Sequence, residues 1–211
     1  MISIKSFCIM SGGVDSALAA YKAKRKYNDV TAVFFDWGQK AVGDEKKAVD
    51  SICKAISIKD IKVIKIPISE WDRSELTKGN KTKIMNPRNI IVPERNLIFI
   101  AMAASFARTE GGGKLIVGFN KDDAGYDTSI EFVKELNRIF KIGNGGFAGA
   151  SDRKMRNSQI KVVAPLIKKD KKYIIAKLRK LRLLDKTYSC YAANGPCGKC
   201  PACKKRESGK K

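Results

Sequence analysis

Two stretches of this 211-residue chain crowd reactive residue types together. The first is Ser11-Gly12-Gly13-Val14-Asp15-Ser16, which follows an apolar run directly. Glycines let backbone amides approach an anion closely, and a helix start adds unpaired N–H groups and positive dipole. Ser11 and Ser16 can donate hydroxyl hydrogen bonds to phosphate oxygens. Asp15 repels phosphate unless it holds Mg2+ or caps the helix. Neither G-x-x-x-x-G-K-[ST] nor G-x-G-x-x-G is present, so a plain strand–helix turn capped by Asp15 and Ser16 is the competing reading. The second stretch is Cys190, Cys197, Cys200 and Cys203, with Gly198 to reverse the chain and Pro196 and Pro201 to stiffen it. Four thiolates at this spacing suit a closed tetrahedral Zn2+ site, a staple with no open position for water. The basic neighbours Lys199, Lys204, Lys205 and Arg206 offset the thiolate charge. An iron–sulfur cluster is the alternative occupant.

Composition narrows the chemistry. The chain has no histidine, which removes the usual general base and any Ser-His or Cys-His nucleophile. Cys8 and Cys53 stand alone in apolar surroundings and read as core residues. The net charge of +22 favours anionic partners. Lysine is nevertheless scattered along the whole chain, and the basic block Lys168 to Arg182 alternates with apolar residues as an amphipathic helix with a wet face would. The cysteine tail lacks the histidine ligands of finger spacing and no aromatic-basic RNA motif is visible, which argues against a nucleic-acid binder while the charge argues for one. No apolar run approaches the ~20 residues of a membrane span, and the N-terminus lacks a cleavage site. A cytoplasmic protein is expected.

Strand and helix signals alternate. Apolar runs over 4–10, 30–38, 61–68, 111–120 and 160–166 read as strands; 14–26, 45–57, 95–109, 128–142 and 169–184 read as helices. Asp44 is placed to cap the second helix, and the helix over 95–109 is apolar nearly all round, hence buried. Ile130, Val133, Leu136, Ile139 and Phe140 fall on one side of the fourth helix. Residues 69–92 and 143–153 have no period and read as mobile loops, the first near a site. This alternation predicts an α/β fold: a doubly wound, mainly parallel five-stranded sheet with helices on both faces. Ligands in such sheets lie at the carboxyl ends of the strands, so the first loop is where to look. The domain reading is 1–186 for the α/β unit and 187–211 for a small zinc-binding tail packed on it.

The S-G-G-V-D-S loop resembles the pyrophosphate loop of the N-type ATP pyrophosphatases, whose fold is adenine nucleotide α-hydrolase-like. Three further stretches, "FDWGQKAVGDEKKA", "VPERN" and "SCYAANGPCGKCPACKKR", resemble the 7-cyano-7-deazaguanine synthase family over about residues 4 to 206. "GFNKDDAGYDTSIEF" and "APLIKKDKKYI" fall in the family's order. The chain departs from the pattern in three places. Trp37 stands for the tyrosine of Tyr-Gly-Gln, Glu94 for the glycine of V-P-G-R-N, and Tyr126 is followed directly by Asp127 where the family reads Y-P-D.

The resemblance implies an ATP-dependent C–N ligase that makes a deazaguanine nitrile from 7-carboxy-7-deazaguanine and ammonia. ATP and Mg2+ would lie on Ser11, Gly12, Gly13, Asp15 and Ser16, with Phe35, Asp36 and Trp37 flanking the adenine. Gln39, Arg95, Asn96, Asn120, Tyr126 and Asp127 would meet the substrate. Asp15, Ser16, Arg95 and Asp123 would serve catalysis. Glu94 offers Arg95 an alternative ion pair, and Asp122 and Asp123 are equally placed to cap the helix that follows them. Lys121 or another lysine could steady the leaving pyrophosphate. Related enzymes that stop at the amide or modify a tRNA base share the loop, and a homodimer is the assembly the family allows.

Overall fold

The computed structural model describes residues 4–77, 87–123, 125–143, 155 and 158–208. Five strands, β1 (Lys5–Ile9), β2 (Asp29–Asp36), β3 (Asp60–Lys65), β4 (Gly112–Ile116) and β5 (Gln159–Val163), form one sheet in the order β3-β2-β1-β4-β5. Every pairing is parallel. The order reverses between β1 and β4, which splays the loops that leave these two strands and opens a crevice between them.

Side-chain alternation along the strands builds two cores. Cys8, Met10, Ala32, Phe34 and Ile116 face one side. There they pack on α1 (Val14–Lys26), α2 (Val42–Ala55) and α5 (Lys171–Lys180), through Leu18, Ile52, Cys53, Ile174, Ile175 and Leu178 among others. Phe7, Val33, Phe35, Leu115 and Val117 face the other. They meet α3 (Arg95–Thr109) and α4 (Ile130–Ile142) through Ile100, Ala103, Ala104, Ala107 and Leu136. The short helix α6 (Pro201–Ser208) ends the described chain.

Several sequence expectations need correcting. Helix α2 begins at Val42, so Asp44 sits in its first turn and does not cap it. Helix α3 exposes Leu97 and Met102. Only its alanine-rich face is buried, because small residues let it lie close on the sheet. Ile130 and Ile139 of α4 are exposed as well, and Leu136 carries the contact with the core. Asp122 and Asp123 do not cap α4; Ser129 does, its hydroxyl accepting the Phe132 N–H at 3.0 Å. In the stretch read as a mobile loop, Ser74, Glu75, Leu76 and Thr77 are buried, and Thr77 bridges to Gln39. Residues 78–86, and all but Gly143 of the loop read over 143–153, lie outside the described residues.

The crevice is held open by backbone contacts that leave no room for a side chain. A Cβ on Gly118, just past β4, would lie 2.9 Å from the Ser16 amide nitrogen and 3.0 Å from the Asp15 carbonyl carbon. Replacing Gly118 with alanine therefore pushes β4 and the first turn of α1 apart. The expected cost is about 1–3 kcal/mol, read by urea denaturation, and unchanged stability would refute the contact.

Candidate functional site

The loop after β1 turns on Gly12, whose φ of +76° suits glycine, and whose Cβ would strike the Glu45 carbonyl oxygen at 2.6 Å. Gly13 is the N-cap of α1, and no side chain caps the helix. The competing reading of Asp15 and Ser16 as helix caps therefore fails. The Ser16 hydroxyl donates to the Gly13 carbonyl at 3.2 Å and accepts the Ser11 N–H at 3.3 Å. Ser11 and Ser16 hydroxyls lie 3.3 Å apart. The amides of the first turn are thus left for a ligand, and the helix dipole makes the spot electropositive.

This loop forms one wall of a cleft of about 550 Å3 at the carboxyl ends of the strands. Of the residues singled out from the sequence, Ser11, Gly13, Asp15, Ser16, Phe35, Trp37, Gln39, Arg95, Asn96, Asp123 and Asp127 line it. Gly12, Asp36, Asn120 and Tyr126 do not. Asp36 holds the turn after β2, its carboxylate accepting the Gly38 N–H at 3.3 Å. Asn120 is 2% exposed and shapes the turn after β4: its backbone N–H donates to the Asp123 carboxylate at 3.1 Å and its Oδ1 accepts the Asp122 N–H at 2.9 Å.

That turn is laced to the one before α5. Lys121 donates its N–H to the Lys169 carbonyl at 2.8 Å, and the Asp122 carboxylate accepts the Lys171 N–H at 2.7 Å. Asp170 caps α5 through the Tyr173 N–H. The lacing delivers the Lys171 ammonium to Asp15 Oδ2 at 2.5 Å. From the sequence, Lys121 or another lysine is expected near the phosphates; Lys171 is the lysine that lines the cleft beside Asp15. The other Asp15 oxygen, Oδ1, is buried without a partner. Burial, together with the Asp15 charge, raises the pKa of Asp123. A buried orphan oxygen beside a second crowded carboxylate is a donor set that fits a hard divalent cation.

Opposite, the Arg95 guanidinium lies 5.4 Å from the centre of the Trp37 ring, and Phe35 stacks on Phe99 at 4.5 Å. Arg95 makes no ion pair with Glu94 among the described residues. Burial lowers its pKa, against the pull of Glu45, Tyr191, Asp127 and Asp72. Glu45, Lys171, Tyr188, Tyr191, Lys205 and Arg206 also line the cleft. A tail anchored by its cysteines is expected from the sequence to bring Tyr191 and Arg206 toward the site, and both are there. Glu45, Lys171 and Lys205 lie in stretches that resemble the family, but nothing local marks them out.

The tail closes the remaining side. Its four cysteine sulfurs all lie within 4.8 Å of one another, and those of Cys190 and Cys200 are 3.9 Å apart. A tetrahedral zinc with Zn–S near 2.3 Å would set its sulfurs about 3.8 Å apart, so the four can hold a metal ion. Backbone N–H groups of Ala192, Cys197, Cys200 and Cys203 point at these sulfurs at 3.2–3.4 Å. Three bonds tie the tail to the body. The Tyr188 N–H donates to the Gly12 carbonyl at 2.9 Å, the Asn194 N–H to Asp44 at 2.8 Å, and Arg206 to the Leu184 carbonyl at 2.8 Å. Asp44, expected as a cap, is instead this tether.

Sheet order, glycine loop and cleft define an α/β protein of the PP-loop ATP pyrophosphatase fold. A solved 4-thiouridine synthetase in complex with RNA and bound ATP shares that fold, with a TM-score of 0.57 at 14% identity. The alignment covers 98% of this chain and half of that one. The sequence is more specific. The family model described as the queuosine biosynthesis protein QueC matches residues 5–211. The chain is 32% identical to a 7-cyano-7-deazaguanine synthase of Campylobacter concisus over 97% of its length and 93% of the relative's. It is likewise 32% identical to one of Methanococcus maripaludis, over 97% and 93%. The chain belongs to the QueC family.

Two of its departures from the family pattern touch each other. Glu94 sits at φ +55°, the left-handed region that glycine adopts freely, and Tyr126 donates its hydroxyl hydrogen bond to the Glu94 carboxylate. That bond is the first cause of a Tyr126 pKa pushed up to about 12. Glu94→Gly removes the bond and the strain together, whereas Glu94→Ala removes the bond and keeps the strain. Urea denaturation should place the glycine variant about 1 kcal/mol above the alanine variant. The reverse order would show that the backbone at residue 94 is unstrained.

Proposed function

We propose that the cleft converts 7-carboxy-7-deazaguanine and ammonia to 7-cyano-7-deazaguanine at the expense of ATP, in a deazapurine pathway of queuosine or archaeosine type. The observation that carries this reading is the uncapped α1 N-terminus facing Arg95 across one cleft, in a chain whose relatives bear that enzyme's name. An anion cradle on one wall and a guanidinium stacked on an indole on the other suit a triphosphate and a carboxylate held for reaction.

In this reading the ATP phosphates lie on the Ser11–Ser16 loop with Lys171 beside them, and Phe35 and Trp37 flank the adenine. Arg95 and Asn96 hold the substrate carboxylate, with Asp127 toward the ring. The carboxylate attacks the α-phosphorus, pyrophosphate leaves, and ammonia displaces AMP to give the amide. A second ATP adenylates the amide oxygen, and loss of AMP and of the nitrogen-bound protons leaves the nitrile. Asp15 and Asp123 would hold Mg2+, which neutralises phosphate charge and orients the phosphates for in-line attack. Cys190, Cys197, Cys200 and Cys203 would hold Zn2+ as a closed staple, because all four ligand positions are filled by protein. The chain's own part is to bind and orient, which asks for no histidine.

Incubation with 7-carboxy-7-deazaguanine, Mg2+-ATP and ammonium, followed by mass spectrometry, should give the nitrile with two AMP released per product. An amide end product would assign the short Tyr126–Asp127 segment to an enzyme that stops halfway, and no product would overturn the substrate. Asp15→Asn should lower product formation by about 100-fold. Cys200→Ser should lose the bound metal by elemental analysis and lower the Tm by about 5 °C, the shift that about 2 kcal/mol produces in a domain of this size. An unchanged Tm would deny the staple its role.

A further inference from the structure

Glu45 is a carboxylate of the cleft that the chemistry above leaves unused. It stands in the first turn of α2, and its Oε2 accepts a hydrogen bond from Gln39 Nε2 at 2.8 Å. Gln39 is itself fixed. Its Nε2 also donates to the Phe35 carbonyl at 3.1 Å, and its Oε1 accepts the Trp37 N–H at 3.0 Å. One oxygen of Glu45 is therefore anchored by a fully engaged amide, Oε1 has no hydrogen-bond partner among the described residues, and the residue lines the cleft. The Glu45 backbone is pinned as well, packed where a Cβ on Gly12 would stand. Across the cleft the carboxylate faces Arg95 of α3, and Asp127, Asp72 and Tyr191 are the other titratable groups around that guanidinium.

We propose that Glu45, through Oε1, accepts the protons that the nitrogen substrate must shed, first as ammonia becomes an amide and again as the amide becomes a nitrile. The proposal rests on the function proposed above. In the first step the ammonia nitrogen bonds to the acyl carbon and the bond from that carbon to the phosphate oxygen breaks. AMP leaves with the electron pair and the nitrogen's proton passes to Glu45. Glu45 then returns its proton to solvent. In the second, the amide nitrogen sheds one proton as its oxygen is adenylated and the other as the carbon–oxygen bond breaks and the third carbon–nitrogen bond forms, and both take the same route. Nothing is oxidised or reduced. Burial pushes the Glu45 carboxyl up to about 7, against the Gln39 hydrogen bond and the Arg95 charge, which hold it down. An acceptor with that value is half-ionised at neutral pH and a far better base than an ordinary carboxylate.

Glu45→Gln tests this, since a glutamine oxygen can still accept from Gln39. Exchange of labelled pyrophosphate into ATP, with 7-carboxy-7-deazaguanine and no ammonia, reads adenylation alone. Product mass with ammonium reads the complete sequence. The expected result is exchange within about threefold of wild type and product formation down about 100-fold. At constant free ammonia, the wild-type rate should rise with pH and level off above about pH 7, and the variant should lack that rise. Glu45→Asp should recover part of the loss. Equal falls in exchange and product would mean that Glu45 only orients Arg95 or holds the fold, and would overturn the proposal, as would undiminished product. A wild-type protein silent in exchange overturns the underlying function and the proposal with it, and the wild-type arm keeps that failure distinct.

Discussion

The site depends on a helix end left bare. Four N–H groups at the start of any helix lack partners within it, and a side chain at the N-cap ordinarily supplies one. Here the N-cap is Gly13, and the nearby hydroxyls of Ser11 and Ser16 bond to each other and to the loop. Backbone contacts impose this geometry. Gly118 lets β4 lie against the first turn of α1, and Gly12 lets the loop lie against α2. The Gly12 carbonyl is taken by Tyr188 of the tail. Three separate parts of the chain thus converge on six residues, and an anion completes what the fold leaves open.

Charge is distributed in a way that the net value hides. The chain carries 43 basic residues against 21 acidic ones, yet Asp15, Glu45, Asp122, Asp123 and Asp127 gather in one cleft. Such a concentration repels a polyanion that comes without its own cations. It suits a ligand whose phosphates meet Lys171 and a divalent ion together, with Arg95 reserved for a second anion. The lysines elsewhere lie largely on exposed helix faces, as along α5, where Ile174, Ile175 and Leu178 are buried and the basic positions are not. The excess positive charge is therefore a property of the surface and the cleft is a place where it is locally reversed.

Elements whose periods were strong were legible in the sequence. The helices over 14–26 and 95–109 begin and end where their patterns said, and β1, β2 and the glycine loop follow the apolar runs. What escaped depended on distance along the chain. Lys171 is 156 residues from Asp15, and nothing local in "KKDKKY" marks one lysine out of four; only the lacing of two turns through Asp122 selects it. Asp44 looks like a helix cap because its type and place fit one, but its partner is Asn194, 150 residues away. Ile139 has the right period for the core and is 58% exposed, because α4 covers only β5 at the sheet's edge and the sheet offers it no wider surface.

Departures from the family pattern show the same logic at short range. A glutamate in place of glycine at a left-handed N-cap costs about 1 kcal/mol by itself. It persists because its carboxylate finds the hydroxyl of Tyr126, in the segment whose spacing also departs from the family. Tyr126 is 64% exposed and stands outside the cleft, so the pair joins the start of α3 to the turn before α4 at the rim rather than touching a ligand. Arg95 follows Glu94 directly, and Asp127 follows Tyr126. The hydrogen bond therefore sets the separation of two residues that do line the cleft and whose charges attract. Two changes that look independent in sequence are one mechanical unit, which joins the two segments that carry Arg95 and Asp127 into the cleft.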